Sequence, residues 1–214
     1  DNISSKNSNY CELTAIYWIW KNYELPDYIG ICHYRRYFVK GIFSRFFNYN
    51  DVKRIMKKHD IILPFPYHLK KDTVWDFFVK SKSCGKEEDL EILRDLIKKD
   101  YNDYYDSFIK VMSSKKISYC NMAVFKKKDF IAYCSWLFPL LEKYEKKVDL
   151  TGYNREQLRI YGFMSEFLLN VWVINNKLDV SYRSMMMIEE KPVKSLFIKS
   201  KTFLRKLAGF ILKY

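Results

Sequence analysis

Hydrophobic residues along the chain alternate between the spacing of a helix and that of a buried strand. From residue 8 to residue 22, apolar side chains recur every three or four positions, which predicts an amphipathic helix. The first four predicted elements are this helix at 8–22, a strand at 28–34, a short helix from Asn50 and Asp51 to His59, and a buried strand at 60–64. This order is typical of α/β folds.

The rest of the chain continues the same rhythm after one irregular stretch. Residues 64–83 have no clear period and contain Pro64 and Pro66, which predicts a loop over the functional site. The later predicted elements are helices at 86–99, 103–113, 128–146 and 154–176, and strands at 117–125 and 178–188. We therefore expect a mixed sheet flanked by helices.

Composition favours a folded protein with an anionic partner. The 214 residues suit one main domain, and the net charge of +13 points to a nucleotide, a phosphate-bearing lipid or a nucleic acid. No apolar run approaches the roughly 18 residues needed to span a bilayer, and no signal peptide is visible. The odd, scattered cysteines favour reduced thiols in a cytoplasmic protein and disfavour a zinc site (Cys11, Cys32, Cys84, Cys120 and Cys134).

About half of the excess charge lies in residues 191–214, which contain no acid. Drawn as a helix from Val193, this tail has an apolar stripe, with cations mostly away from the centre of the stripe (Lys199, Lys201, Lys206 and Lys213). That pattern predicts a helix lying on an anionic membrane surface, with membrane contacts from Lys199, Lys201, Arg205 and Lys206. The alternative is a terminal helix that packs its stripe on the protein's own core. We divide the chain into a catalytic domain at 1–190 and this tail.

The stretch HYRRYF at 33–38 puts His33, Arg35 and Arg36 at the end of a predicted strand. In open α/β sheets, ligands bind outside the carboxyl ends of strands, and a guanidinium suits a phosphate because it donates two charge-assisted hydrogen bonds. Strand alternation puts His33 and Arg35 on one face and Arg36 on the other. The alternative, which the composition alone leaves open, is a strand end exposed to solvent.

Two further polar residues lie in apolar surroundings. Asn121 interrupts the strand CNMAVF, where a buried amide needs partners such as sugar hydroxyls or groups of the core. Glu166 lies in GFMSEFLL, where partial desolvation would raise the pKa of its carboxyl and suit it to act as a general base. The alternative for Glu166 is an ion pair with Arg159 or Arg155 on the helix surface.

Four segments in order over residues 1–175 carry a family resemblance: NISSKNSNYCELTAIYWIWKN, DYIGICHYRRYF, NMAVFKKKDFIAYCSWLFPLLE and REQLRIYGFMSEFLLNVWV. The chain resembles the bacterial capsular and exopolysaccharide glycosyltransferases long filed as a domain of unknown function. The resemblance implies an α/β fold of the GT-A type, with a Rossmann-like mixed sheet, and transfer of a sugar from a nucleotide-sugar donor. Some members are described as galactofuranosyltransferases, so UDP-galactofuranose is a candidate donor.

On this basis we expect an inverting hexosyltransferase acting on a lipid-linked glycan at the cytoplasmic face of the membrane. His33, Arg35 and Arg36 would bind the donor diphosphate, and Glu166 would deprotonate the acceptor. Sugar hydroxyls would be bound by Glu12, Asn121 and Arg159.

The sequence departs from the family pattern in two places. Members normally carry an upstream segment with a first strand that helps to hold the nucleotide, and we expect that this sequence begins after it. Many GT-A enzymes hold a divalent metal with a D-x-D motif, and CHYRR stands at the corresponding place. Because cationic side chains can stabilise the same leaving-group charge, we expect no cofactor and no divalent metal.

A different class of function also fits the composition. Basic residues interleaved with tyrosines, as in HYRRYF and KKDYNDYYDSF, suit phosphate contacts and base stacking in a nucleic-acid-binding protein. No nucleic-acid-binding motif is present, however, and much of the excess charge lies in the tail. We therefore expect no nucleic-acid partner.

Overall fold

Short strands and longer helices alternate through the structure, a computed structural model that describes residues 1–40, 45–81 and 83–188. The strands are β1 (Tyr28–Ile31), β2 (Arg36–Lys40), β3 (Arg45–Phe46), β4 (Ile61–Pro64), β5 (Tyr67–His68), β6 (Lys116–Ile117), β7 (Ala123–Lys126) and β8 (Val180–Met187). The helices are α1 (Asn7–Tyr10), α2 (Leu13–Asn22), α3 (Tyr49–Met56), α4 (Val74–Lys80), α5 (Glu87–Asp100), α6 (Tyr105–Met112), α7 (Lys127–Glu145) and α8 (Ile160–Asn175).

The main sheet has the strand order β1-β7-β4-β8-β2-β3. Strands β4 and β8 pair in parallel, and every other neighbouring pair in the sheet is antiparallel. Strands β1, β4 and β8 consequently run in the same direction, and their carboxyl ends share one edge. Strands β5 and β6 form a separate two-stranded sheet.

The side chains of β4 show how the sheet divides the core. Ile61 and Leu63 pack into the large cluster formed with the helices α2 and α4 to α8, whereas Ile62 packs into a smaller cluster with Ile55 and Met56 of α3. Because successive strand residues point to opposite faces, the sheet is covered by helices on both sides. This explains why the run DIILP is apolar without alternation.

Helix α8 is apolar nearly all the way round, and most of its residues are buried. A helix of that composition belongs inside a protein rather than on its surface. It crosses the large core and contacts α6 and α7 as well as α1. Any polar side chain that α8 carries is therefore held in a mostly apolar setting.

The structure confirms the predicted α/β rhythm, including the buried strand at 60–64, and corrects several boundaries. The predicted helix at 8–22 is two helices, because Cys11 adopts a left-handed backbone conformation with φ 51° between them. The irregular stretch 64–83 contains β5 and the helix α4, which Thr73 and Asp76 cap reciprocally. Helix α3 begins two residues earlier than predicted, with Asn48 rather than Asn50 as its N-cap.

Two predicted strands are shorter than expected. The strand predicted at 28–34 ends at Ile31, and the chain then turns at Tyr34 and Arg35 into β2. The strand predicted at 117–125 is interrupted by a turn at Cys120 and Asn121. In both cases an apolar run conceals a turn that carries polar side chains.

The predicted tail helix, with Lys199, Lys201, Arg205 and Lys206, lies outside the residues that the structure describes. Within the described ranges, no helix combines the length and the apolar character required to cross a membrane.

Candidate active site

The candidate site lies at the edge where β1 ends and β7 begins. Ile31 is the last residue of β1 and pairs with Ala123, the first residue of β7. At the same edge β8 ends opposite the start of β2, where Met187 pairs with Arg36. The amino-terminal half of α8 packs beside this edge. The site thus lies outside the carboxyl ends of parallel-running strands, as expected for open α/β sheets.

Three residues around the site have positive φ angles that side chains other than glycine rarely adopt. They are Cys11 (φ 51°), Cys120 (φ 79°) and Asn121 (φ 48°). Each such residue costs on the order of 1–3 kcal/mol, and this kind of strain is found most often where ligands bind. The two turns that hold these residues bring the polar groups of separate elements together.

Asn121 is hydrogen-bonded both to the turn between α1 and α2, which carries Glu12, and to α8. Its amide nitrogen lies 2.9 Å from a carboxylate oxygen of Glu12, 2.8 Å from the Ser165 hydroxyl and 3.3 Å from the Gly162 carbonyl oxygen, and it donates hydrogen bonds among these acceptors. The residue is only 4% exposed, yet its Oδ1 has no partner among the described residues. Asn121 therefore orients Glu12 and keeps one acceptor free.

Glu166 projects from α8 towards the same place. The pKa of its carboxyl is raised to about 7, mainly by burial and to a smaller extent by the charge of Glu12. A backbone hydrogen bond from Cys120 and the charges of Arg36 and Arg159 act in the opposite direction. The side chain is partly exposed. A carboxylate with a pKa near neutrality that can reach solvent is suited to accept a proton from a substrate.

Arg159 and His33 lie near these carboxylates. Arg159 donates from its Nε to Cys11 Sγ at 3.2 Å, and its guanidinium lies 5.6 Å from the centre of the Phe163 ring. Burial and the charge of Arg36 lower the pKa of His33, and Glu12 opposes this shift. At neutral pH the imidazole is therefore largely uncharged. Its Nδ1 is buried with no hydrogen-bond partner in the described part of the chain.

The two neighbouring arginines occupy different settings. The prediction that Arg36 faces away from His33 is wrong, because the turn at Tyr34 and Arg35 breaks the strand alternation on which it rested. The charge of Arg36 acts on both His33 and Glu166. The Arg35 guanidinium lies 4.5 Å from the centre of the Tyr34 ring, and its Nε has no partner among the described residues.

The structure therefore brings together most of the residues that the sequence singled out. Glu12, His33, Arg36, Asn121, Arg159 and Glu166 form one cluster. The surface ion pair that was the alternative for Glu166 is absent among the described residues. Sequence analysis missed the roles of Cys11, Cys120 and Ser165. The signal for Ser165 was a small polar residue directly before Glu166 in an otherwise apolar helix.

The described ranges contain no group of three His, Cys, Asp or Glu side chains placed to hold a metal ion. The site offers one carboxyl group with a pKa near 7, that of Glu166, beside the guanidinium groups of Arg36 and Arg159. Such an arrangement can deprotonate a hydroxyl and stabilise a departing anion in the same small volume.

The helix-flanked mixed sheet, with this site at its edge, is a GT-A-like glycosyltransferase fold. The chain belongs to the family described as "Domain of unknown function (DUF4422)", whose model matches residues 1–177. No curated protein matches the chain.

A solved structure supports the same fold. The chain is similar to the apo structure of the WbbM bifunctional glycosyltransferase, with a TM-score of 0.82 and 27% sequence identity. The match covers 90% of this chain and 40% of that protein. The chain thus spans well under half the length of the solved relative.

Proposed function

We propose that the chain is a glycosyltransferase that moves a hexose from a nucleotide-sugar donor to a glycan acceptor. The observation that carries the proposal is the pairing of Glu166, whose pKa is raised to about 7, with Arg36 and Arg159 at one edge of the sheet. A base and anion-stabilising groups are both needed when a hydroxyl displaces a nucleoside diphosphate. The similarity to a bifunctional glycosyltransferase supports this class.

Each group has a role in the proposed reaction. Glu166 accepts the proton of the acceptor hydroxyl while the oxygen of that hydroxyl forms a bond to the anomeric carbon of the donor sugar. The bond from that carbon to the diphosphate oxygen breaks, and the electron pair leaves with the diphosphate. Attack from the face opposite the leaving group inverts the configuration. Arg36, Arg35 and His33 stabilise the diphosphate, while Glu12, Asn121 and Arg159 bind sugar hydroxyls.

The wider setting follows from the sequence. We propose a lipid-linked acceptor in capsular or exopolysaccharide synthesis, with the basic tail holding the protein on the cytoplasmic face of the membrane. UDP-galactofuranose is the first donor to test. Because arginine and histidine donors occupy the place of a metal-binding motif, activity should persist in excess EDTA. Complete loss that manganese or magnesium restores would show that a metal is required.

One observation disfavours the nucleic-acid-binding alternative. The tyrosines of KKDYNDYYDSF pack on the protein's own core rather than standing free for bases. Tyr104 stacks on Trp136 with ring centres 4.7 Å apart. Aromatic side chains that are already packed contribute little to a stacking surface for single strands.

A panel of nucleotide sugars tests the proposal directly. The full chain is incubated with each donor, with and without glycan acceptors, and the released nucleoside diphosphate is measured. Release that depends on one donor and disappears in Glu166→Gln supports the function. Retention of single-stranded DNA on a filter at physiological salt, without turnover of any donor, would favour the nucleic-acid-binding alternative.

A further inference from the structure

An aromatic residue that the sequence did not single out lies directly beside the proposed base. Tyr119 is flanked by two residues fixed to α8. The backbone N–H of Ser118 donates to Asn170 Oδ1 at 3.2 Å, and the Asn170 amide donates to the Ser118 carbonyl at 2.9 Å. On the other side, the backbone of Cys120 hydrogen-bonds the Glu166 carboxylate. The position of Tyr119 relative to Glu166 is therefore determined from both sides.

Two more rings surround Tyr119. The centre of the Tyr67 ring lies 6.3 Å from that of Tyr119, and the centre of the Phe77 ring lies 6.1 Å from it on the side of α4. The planes are inclined to the Tyr119 ring by 51° and 46°, so the three rings lie together without forming a parallel stack. Tyr67 is 60% exposed and Phe77 is 37% exposed. This aromatic group, Tyr67, Phe77 and Tyr119, is open to solvent next to the base.

The hydroxyl of Tyr119 supplies the second observation. It is buried and has no hydrogen-bond partner among the described residues. A buried tyrosine hydroxyl usually has a partner, because leaving it unpaired costs free energy. Burial and the charge of Glu166 raise the pKa of Tyr119, so the hydroxyl stays protonated and able to donate. An unpaired donor next to two exposed rings suits a ligand with both an apolar face and hydroxyl groups.

We propose that Tyr67, Phe77 and Tyr119 form the subsite for the terminal sugar ring of the acceptor. The C–H face of the sugar packs against the exposed rings, and one of its hydroxyls pairs with Tyr119 Oη. A neighbouring hydroxyl of the same sugar then faces Glu166. The proposal rests on the function proposed above in one respect, the role of Glu166 as the base, but sugar binding by the aromatic group does not depend on catalysis.

Direct binding of simple sugars is the first test. Saturation-transfer NMR with methyl β-galactopyranoside and methyl β-glucopyranoside should show binding to the full chain, strongest at the protons of one face of the sugar. Tyr119→Phe removes one hydroxyl and should weaken binding about fivefold, the equivalent of one ordinary hydrogen bond. Tyr67→Ala should weaken binding about tenfold, since it removes a stacking ring. Tyr49→Ala is the matched control, because Tyr49 is also 60% exposed and lies on α3.

Stability separates a ligand-binding role from a structural one. If the Tyr119 hydroxyl has no partner within the protein, Tyr119→Phe should unfold at the same temperature as the wild type or a higher one. A clear fall in that temperature would mean that the hydroxyl has a structural partner, and it would overturn the proposal. Failure of both glycosides to bind, or equal binding by the wild type and all three variants (Tyr67→Ala, Phe77→Ala and Tyr119→Phe), would also overturn it.

Kinetics then distinguish this inference from the proposed function. In a chain that turns over a nucleotide sugar, the three aromatic variants should raise the KM for the acceptor by a larger factor than the KM for the donor. An equal rise of both, or a rise for the donor alone, would place the rings at the donor and overturn the subsite. Sugar binding that needs the aromatic group, in a chain that turns over no donor, would support the subsite and contradict the proposed function.

Discussion

Opposing influences act on the carboxyl of Glu166, and burial outweighs the others. Burial and Glu12 favour its neutral form, while the Cys120 backbone and the charges of Arg36 and Arg159 favour the carboxylate. The resulting pKa of about 7 lies close to the pH at which a cell works. A base tuned in this way is deprotonated often enough to act and basic enough to take a proton.

The first prediction concerns the pH dependence of turnover. In the proposed mechanism the deprotonated form of Glu166 is the active one, so kcat should rise with pH through about 7 and then level off. Glu166→Gln keeps the shape of the side chain, removes the basic group and should lower kcat by about 100-fold or more while donor affinity survives. Glu142→Gln, at an exposed position paired with Lys146, is the control. An unchanged profile in Glu166→Gln would exclude Glu166 as the base.

The same residue should make stability depend on pH. The pKa of Glu166 is raised from 4.5 to about 7 in the folded chain, so between these values the native state binds a proton that the unfolded state has lost. Its contribution to stability is present below pH 4.5 and is lost as pH rises to 7. Glu166→Gln should therefore stabilise the protein at pH 8 by up to roughly 3 kcal/mol and have little effect at pH 4. Urea unfolding at pH 4 and pH 8 measures the difference in the free energy of unfolding between the variant and the wild type. Equal differences at the two pH values would contradict the raised pKa of Glu166.

Arg36 and Arg35 should respond differently to substitution. Arg36 lowers the pKa of Glu166, so Arg36→Gln should move the rising limb of the kcat profile to higher pH. Replacing either arginine with lysine retains the charge but removes the two-pronged donor, so turnover should fall sharply. Arg54→Gln, on α3, is the control and should change neither the pH profile of kcat nor the rate of turnover. Turnover like the wild type in both Arg35→Lys and Arg35→Ala would remove Arg35 from the diphosphate site.

At the scale of elements, the turn that precedes β7 combines backbone strain with a polar side chain. Asn121 tolerates its φ of 48° better than most residues, because its short amide side chain can hydrogen-bond locally. The same amide reaches Glu12 and Ser165. The turn therefore needs a residue that satisfies both requirements, which few side chains other than asparagine can do.

Two substitutions at this turn separate the backbone from the side chain. Asn121→Gly relieves the strain, and Asn121→Ala retains it, so the glycine variant should be more stable by about 1 kcal/mol. Both variants lose the hydrogen bond to Glu12 and should lose turnover to a similar extent. Thermal unfolding and kcat are measured side by side. If the glycine variant recovered full turnover, the amide would have no positioning role.

Elements with a clean apolar period could be predicted from the sequence, and turns inside apolar runs could not. The run DIILP predicted β4 because four apolar residues must be buried wherever they lie. The turn at Cys120 and Asn121 escaped prediction because a left-handed cysteine has no sequence signal, and the flanking residues suit a strand. The break at Cys11 escaped for the same reason. The residue types and their apolar surroundings were enough to indicate the candidate site residues. That these residues lie close together depends on the turns, which the sequence did not reveal.

At the scale of the whole molecule, the tail prediction remains open to a direct test. Residues 191–214 carry seven basic side chains and no acid, and each cation near an anionic leaflet contributes about 1 kcal/mol. Truncation after Glu190 should abolish sedimentation with anionic liposomes at low salt and leave a folded catalytic domain. Neutral liposomes are the control. Aggregation of the truncated chain, or failure of the intact chain to bind, would assign the tail to the core instead.

The position of β8 in the sheet has a consequence for how the protein is made. Strands β1, β4 and β7 can pair as soon as residue 126 has left the ribosome, but β2 and β3 join them only through β8, at residues 180–187. The hairpin that bears Arg36 must therefore wait, unattached to the sheet, while the intervening helices are synthesised. Pairing over such a separation is slow. We expect a nascent chain stopped before β8 to be sensitive to proteases and dependent on chaperones, and to gain its cationic site in the last step of folding.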